Sequence, residues 1–236
     1  MRVANIHVAE ILNLMFEAIT PGISTWEIDR IARTALKKRG LRSPFLGYHG
    51  FPAVACISIN EEIVHGIPKK SRLLKDGDIV SIDFGVVYDG YVGDSAKTVP
   101  VGTVSQEAQR LMQVTQESLE LAIEKCTPEC RLSDIGLVVE KHATQNSMSV
   151  IRDFVGHGVG TKMHEDPQVP NYYDGPKPRM RPGMVIAIEP MLSLGKHEIK
   201  ILEDGWTAIT KDYSLSAHFE HSIAITDGDP IVLSRL

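Results

Sequence analysis

The chain has 236 residues, 43% of them hydrophobic, and its 25 Lys and Arg against 30 Asp and Glu leave a net charge of −5. A chain of this length buries roughly 70–75% of its unfolded surface on folding, and this composition excludes a disordered acidic tail. Neither nucleic acid nor membrane is an expected partner: the longest basic block is Lys37-Lys38-Arg39, and no apolar run reaches the roughly 18 residues of a bilayer span.

In chain order, the spacing of Val3, Ile6, Ile11, Leu14, Met15 and Ala18 predicts a helix over 3–19. No residue caps it, so its first turn is expected to fray. Thr20-Pro21-Gly22 breaks it. Ser24 or Thr25 can then cap a second helix to Arg39, with Trp26, Ile28, Ile31, Ala35 and Leu36 inward and Gly40 as the stop. Strand-like runs follow at 53–59, 78–86 and 91–99, helical spacing at 105–126 and 132–146, and Gly/Pro-punctuated strands at 184–189, 197–202, 206–210 and 218–226. Charge within the first twelve residues and no small-residue cleavage site argue against a signal peptide. The odd number of cysteines (Cys56, Cys126 and Cys130) suits reduced thiols in a cytoplasm.

Helix, helix, strands thus occurs twice, and the sequence repeats with it. Thr20-Pro-Gly-Ile-Ser-Thr-Trp-Glu-Ile aligns with Thr127-Pro-Glu-Cys-Arg-Leu-Ser-Asp-Ile, and Phe45-Leu-Gly47 with Phe154-Val-Gly156. Gly77-Asp-Ile-Val-Ser-Ile-Asp83 aligns with Gly183-Met-Val-Ile-Ala-Ile-Glu189 at nearly the same offset. One domain over 1–236 is expected, in halves of about 1–104 and 105–236, with a site in the cleft between them.

Asp89-Gly90 between β-rich arms predicts a two-residue hairpin turn. In that register Tyr88 pairs with Tyr91, Gly85 with Asp94 and Asp83 with Ala96, so Asp83 and Asp94 share a face with Cβ atoms up to about 7–8 Å apart. Carboxylates so placed can reach one cation or flank a pair. The alternative, an exposed hairpin with solvated acids, sits poorly with the flanking Ile79, Val80, Ile82, Phe84, Val86 and Val87. Glu189 closes the apolar run of the second half as Asp83 closes that of the first, and Glu220 lies in Ala217-His-Phe-Glu-His-Ser-Ile-Ala-Ile. Each alone could be a buried acid paired with an Arg or a backbone amide. At an effective dielectric near 20, however, each pair about 4 Å apart repels by about 4 kcal/mol. Four ionised acids therefore need cations among them, and two divalent ions bring the balancing charge.

His157 stands among glycines in Gly156-His-Gly-Val-Gly, where the backbone can approach an ion or substrate closely. His164 lies in Met-His-Glu-Asp-Pro and His65 in Glu-Ile-Val-His-Gly-Ile-Pro. A lone histidine is usually structural, but three in loops beside acidic strand ends point to function. His49, His218 and His221 stay unassigned, and His7, His142 and His197 read as surface or helix residues. No helix follows Gly156–Gly160 to make a dinucleotide loop, and Asp83-Phe84-Gly85 lacks the other kinase motifs.

Asn60-Glu-Glu-Ile-Val-His65-Gly-Ile-Pro, Gly93-Asp94-Ser, Gly156-His157-Gly-Val-Gly, Met163-His164-Glu-Asp-Pro, Ile188-Glu189-Pro and Phe219-Glu220-His221 jointly resemble the motifs of type I methionine aminopeptidases, from end to end of the chain. The resemblance implies the pita-bread α+β fold, two pseudo-symmetric α-α-β halves around a central curved antiparallel sheet, in agreement with the repeat. It implies two divalent metal ions (Co, Mn, Fe or Zn). Asp83 would chelate one ion, Asp94 and Glu220 would bridge both, and His157 with Glu189 would complete the other. His65 and His164 match the family's two non-ligand histidines, which bind and polarise the scissile peptide.

Phe45, Tyr48, Phe51, Cys56, Met163 and Trp206 are expected to wall an apolar pocket suited to a thioether, although Cys56 alone reads better as core packing. Phe45 and Met163 depart from the family's usual choices. The implied reaction removes the first methionine from nascent chains with a small second residue. A bridging hydroxide attacks the carbonyl, Glu189 shuttles the proton, and His164 stabilises the oxyanion. A cytoplasmic monomer meeting its substrates at the ribosome is expected. Competing readings are a proline-specific peptidase or creatinase-like hydrolase of the same fold, a non-catalytic binding module of that fold, and a metallophosphatase.

Overall fold

Two helices open the computed structural model, which describes residues 1–236. The first, α1 (Arg2–Glu17), buries Ala4, Val8, Ile11, Leu12 and Met15 and leaves Val3 and Leu14 exposed. Its inward face is therefore rotated from the expected one, because the helix backbone must close on a strand glycine: a Cβ on Gly93 would lie 2.7 Å from Asn5 N. Nor is its first turn free to fray. The Arg2 guanidinium donates to the carbonyls of Val232 and Leu233 at 2.9 and 2.7 Å, and the buried Asn5 side chain accepts from the Asp94 N–H at 3.3 Å.

α2 (Thr25–Arg39) begins on a Ser24–Glu27 capping box and ends at Gly40, left-handed with φ 66°, as the sequence predicts. Trp26 does not point inward as expected; it is half-buried, and the cations of Arg30 and Lys70 lie 5.3 and 4.5 Å from its ring. Buried Asp29 instead holds the helix down, accepting from the N–H groups of Val54 and Ala55 and from Arg33.

Those amides lead into β1 (Ala55–Ile59) and β2 (Glu62–Val64). The long hairpin of β3 (Ile79–Tyr88) and β4 (Tyr91–Pro100) follows in the register read from the sequence, with Gly85 opposite Asp94 and Asp83 opposite Ala96. Asp89 and Gly90 take φ of 48° and 78° at its turn, the left-handed pair that a tight hairpin requires. Helices α3 (Gln106–Ile123) and α4 (Leu132–Gln145) then repeat the opening pair.

The rest of the chain is short strands: β5 (Ser149–Val150), β6 (Gly156–Gly158), β7 (Glu165–Val169), β8 (Val185–Ile188), β9 (Met191–Ser193), β10 (Ile199–Ile201), β11 (Ala208–Thr210), β12 (Ser216–His218), β13 (His221–Ala224) and β14 (Ile231–Val232). Several escape sequence reading because two to five residues cannot display a period. The expected run 218–226 is broken at Phe219-Glu220.

All pairings are antiparallel, in the orders β1-β3-β4, β10-β11-β2, β12-β9-β5 and β14-β13-β8-β6-β7. One core packs α1 and α2 on β1, β3 and β4 through Val8, Ile11, Ile28, Ile57 and Phe84. Another packs α3 and α4 on the later strands through Leu111, Leu119, Ile135, Ile186 and Phe219. The halves are stitched along β4. Glu220 N–H donates to Ala96 C=O at 2.8 Å, His218 N–H to the Thr98 hydroxyl at 2.8 Å, and the Ser222 hydroxyl to Asp94 C=O at 2.8 Å. No helix is long and apolar enough to cross a membrane.

Candidate metal centre and substrate pocket

Each acid reaches the cleft from a strand or its end. Asp83 and Asp94 come from the β3–β4 hairpin, Glu189 from the residue after β8, and Glu220 from the break between β12 and β13. His157 belongs to β6, not to a loop as its glycines suggested. Those glycines serve the close packing of β6: a Cβ on Gly156 would lie 2.3 Å from Ala187 O, and one on Gly158 2.2 Å from Asp166 O.

Ligating atoms of Asp94, His157 and Glu220 all lie within 4.8 Å of one another, and all three residues are buried. His157 Nε2 is 3.5 Å from Glu189 Oε1 and 3.9 Å from Asp94 Oδ2. All four acids line one cleft of about 240 Å³ with His157.

The electrostatics of this group oppose ionisation of all four acids unless a cation joins them. Burial lifts Asp83 to about 7. Burial together with the neighbouring carboxylates raises Asp94, Glu189 and Glu220 well above the usual carboxylate range. His157 Nδ1 is 2.9 Å from Gly158 C=O; since a carbonyl only accepts, Nδ1 carries the proton. Burial lowers this imidazole to about 4, so near neutrality Nε2 presents a lone pair to two carboxylates. Asp94 Oδ1 and Glu220 Oε1 are buried without a hydrogen-bond partner. Oxygens of these acids and the His157 Nε2 lone pair converge on one space, and an imidazole with carboxylates is a donor set that first-row divalent metals accept. The residues fit a metal.

Away from the acids, Phe45, Phe51, Ala53 and Cys56 form a small buried cluster against which Ile67, Met163 and Trp206 pack. All six residues expected to wall the apolar pocket line the cleft. Cys56 is buried, and burial beside Asp83 and Asp94 raises its thiol well above its usual value, which makes it an unreactive wall. His65 takes a left-handed φ of 62°, with its ring against Phe154 and Trp206 at 5.3 and 6.1 Å; burial lowers it to about 4. His164 sits at the exposed mouth, 4.3 Å from the His157 ring between centroids.

Sequence reading missed four contributors. His218 is buried, lowered to about 3 by burial, and its Nε2 lies 3.9 Å from Glu189 Oε2. The buried Asn171 side-chain amide donates to Glu189 C=O at 3.0 Å. Phe154 and Met191 line the cleft too. His218 stands two residues before Glu220 on alternating positions, a signal that was available; Asn171 offered none.

The model of metallopeptidase family M24 matches residues 1–227. The chain belongs to this family. Among M24 relatives, a methionine aminopeptidase of Aquifex aeolicus is 50% identical over 100% of this chain and 95% of its own length. The crystal structure of a methionine aminopeptidase from Thermotoga maritima superposes with a TM-score of 0.98 at 43% identity, covering 100% of this chain and 95% of that one. A prolidase from Pyrococcus furiosus has a TM-score of 0.79 at 21% identity over 100% of this chain and 62% of its own, which is a likeness of fold. The pita-bread α+β fold read from the sequence is the fold of these M24 structures.

Proposed function

We propose that this chain is a methionine aminopeptidase, a hydrolase that works with two divalent ions to remove N-terminal methionine from nascent proteins whose second residue is small. The observation that carries the reading is the meeting of four carboxylates and an unprotonated His157 nitrogen at one end of an apolar pocket. Asp83, Asp94, His157, Glu189 and Glu220 would hold the ions. When bound, such ions supply Lewis acidity, a position for the substrate's free amine and a water acidified toward neutrality.

The side chains do the rest. Phe45, Tyr48, Phe51, Cys56, Met163 and Trp206 enclose the first side chain, and a flexible thioether fits their irregular wall. Both His65 and His164 have lowered pKa values, so each presents one ring N–H as a neutral imidazole. His164 donates to the scissile carbonyl as negative charge develops on its oxygen, and His65 donates to the scissile amide. Glu189, whose Oε1 lies 3.5 Å from His157 Nε2 in the cleft, is placed to take a proton from the attacking water and return it to the leaving amine. Free, unbridged cysteines agree with a reducing cytoplasm, where nascent chains leave the ribosome.

A proline-specific peptidase is the second reading, because prolidases share the fold. Purified, metal-loaded protein is expected to release methionine from Met-Ala-Ser, to leave Ala-Pro intact, and to lose activity on exhaustive chelation. Cleavage of Ala-Pro without methionine release overturns the reading, as does full activity after metal removal.

A further inference from the structure

The geometry points to Tyr48 as a positioning residue that fixes the proton of His164 on Nε2, beyond its part in walling the pocket. Its hydroxyl lies 2.7 Å from His164 Nδ1, with the two rings 5.3 Å apart between centroids. The tyrosine belongs to the first half and the histidine to the second, so the hydrogen bond bridges the cleft at its mouth. Its loop is built for this reach: Gly47, His49 and Gly50 have φ of 85°, 46° and 90°, left-handed values that the glycines adopt freely and His49 adopts at a cost.

A neutral imidazole has one donor and one acceptor nitrogen, and the partner of one sets the state of the other. If Nδ1 held the proton, Nε2 would turn a lone pair toward the oxyanion it is meant to stabilise. A phenol is the better donor of this pair. With Tyr48 donating, Nδ1 accepts and Nε2–H is left for the substrate. The His157 ring packed on His164, 4.3 Å between centroids, limits rotation that would undo the arrangement. Phe51, Cys56 and Trp206 can wall the pocket but offer Nδ1 no hydroxyl. This inference rests on the role given to His164 above.

The test is a 15N spectrum of the histidine rings in the zinc-loaded enzyme, read beside kinetics on Met-Ala-Ser. In the parent, His164 is expected to carry its proton on Nε2 with Nδ1 bare. Tyr48→Phe keeps the ring and its packing; it is expected to give a mixture of tautomers and to lower kcat on the order of tenfold, with KM within about twofold because pocket volume is kept. In a His164→Ala background, Tyr48→Phe is expected to cost nothing further. A parental proton on Nδ1, an unchanged tautomer and kcat in Tyr48→Phe, or an equal loss in the His164→Ala background overturns the inference. A parent that releases no methionine sinks the functional reading instead, and the spectrum still decides the hydrogen bond.

Discussion

The hydroxyl of Ser95 donates to the main-chain carbonyl of Glu220 at 2.7 Å. A strand of the first half thereby holds the residue that brings a second-half carboxylate to Asp94. Both residues are buried, so no water replaces the bond. Ser95→Ala is expected to cost about 1–3 kcal/mol in urea unfolding and to weaken metal binding roughly 10–100-fold by calorimetry. A variant with parental midpoint and metal affinity would show that other contacts hold Glu220.

Asp94 is within reach of both His157 and Glu220, with ligating atoms of the three all within 4.8 Å of one another. Asp94→Asn keeps the shape and removes the charge. Metal content by elemental analysis is expected to fall, and turnover to drop by more than the roughly 100-fold that loss of an outer partner produces. Retained metal with retained turnover would remove Asp94 from the ligand set.

In the metal-free protein, Asp83 holds its proton to about 7 against an ordinary 3.8. A carboxyl whose folded pKa is raised contributes stability that is complete below its unfolded pKa and is lost as pH rises through the folded one. Asp83→Asn cannot ionise. Under chelation, its stability relative to the parent should therefore rise between about pH 4 and pH 7 and level off above that. His65 and His157, both lowered to about 4, titrate in the opposite sense but do so in both proteins. Paired urea melts across that range check the sign, and a difference that falls with pH contradicts it.

Gly158 leaves no space for a methyl group: a Cβ there would lie 2.2 Å from the Asp166 carbonyl oxygen and 2.7 Å from its carbon. Both are backbone atoms, so Gly158→Ala must push β7 from β6 and move the carbonyl that accepts from His157. About 1–3 kcal/mol of destabilisation is expected from such overpacking, with activity falling further than stability because His157 shifts. Gly228→Ala, where a Cβ meets only Thr226 Oγ1 at 3.9 Å, is the control. Equal thermal midpoints and activities for the two variants would count against this reading.

The sequence by itself determined the features that local chemistry dictates. Ser24 or Thr25 as cap and Gly40 as stop marked the ends of α2, and Asp89-Gly90 set the β3–β4 register that puts Asp83 and Asp94 on one face. These signals work because a cap, a tight turn and a strand's alternation depend on neighbours only a few residues away. The ligand and pocket candidates were legible as residue types beside glycine, proline or apolar runs.

Only the tertiary structure decided what depends on partners distant in the chain. The backbone of α1 had to close on Gly93, which turned Val3 and Leu14 outward. The convergence of Glu220 on Asp94 depends on hydrogen bonds from β4 to residues 218–222. No local pattern announced Asn171 at the Glu189 carbonyl or the Tyr48 hydroxyl at His164. Each of these pairings is made when segments distant in the chain pack, where close fit and the exclusion of water set the geometry and propensity has no say.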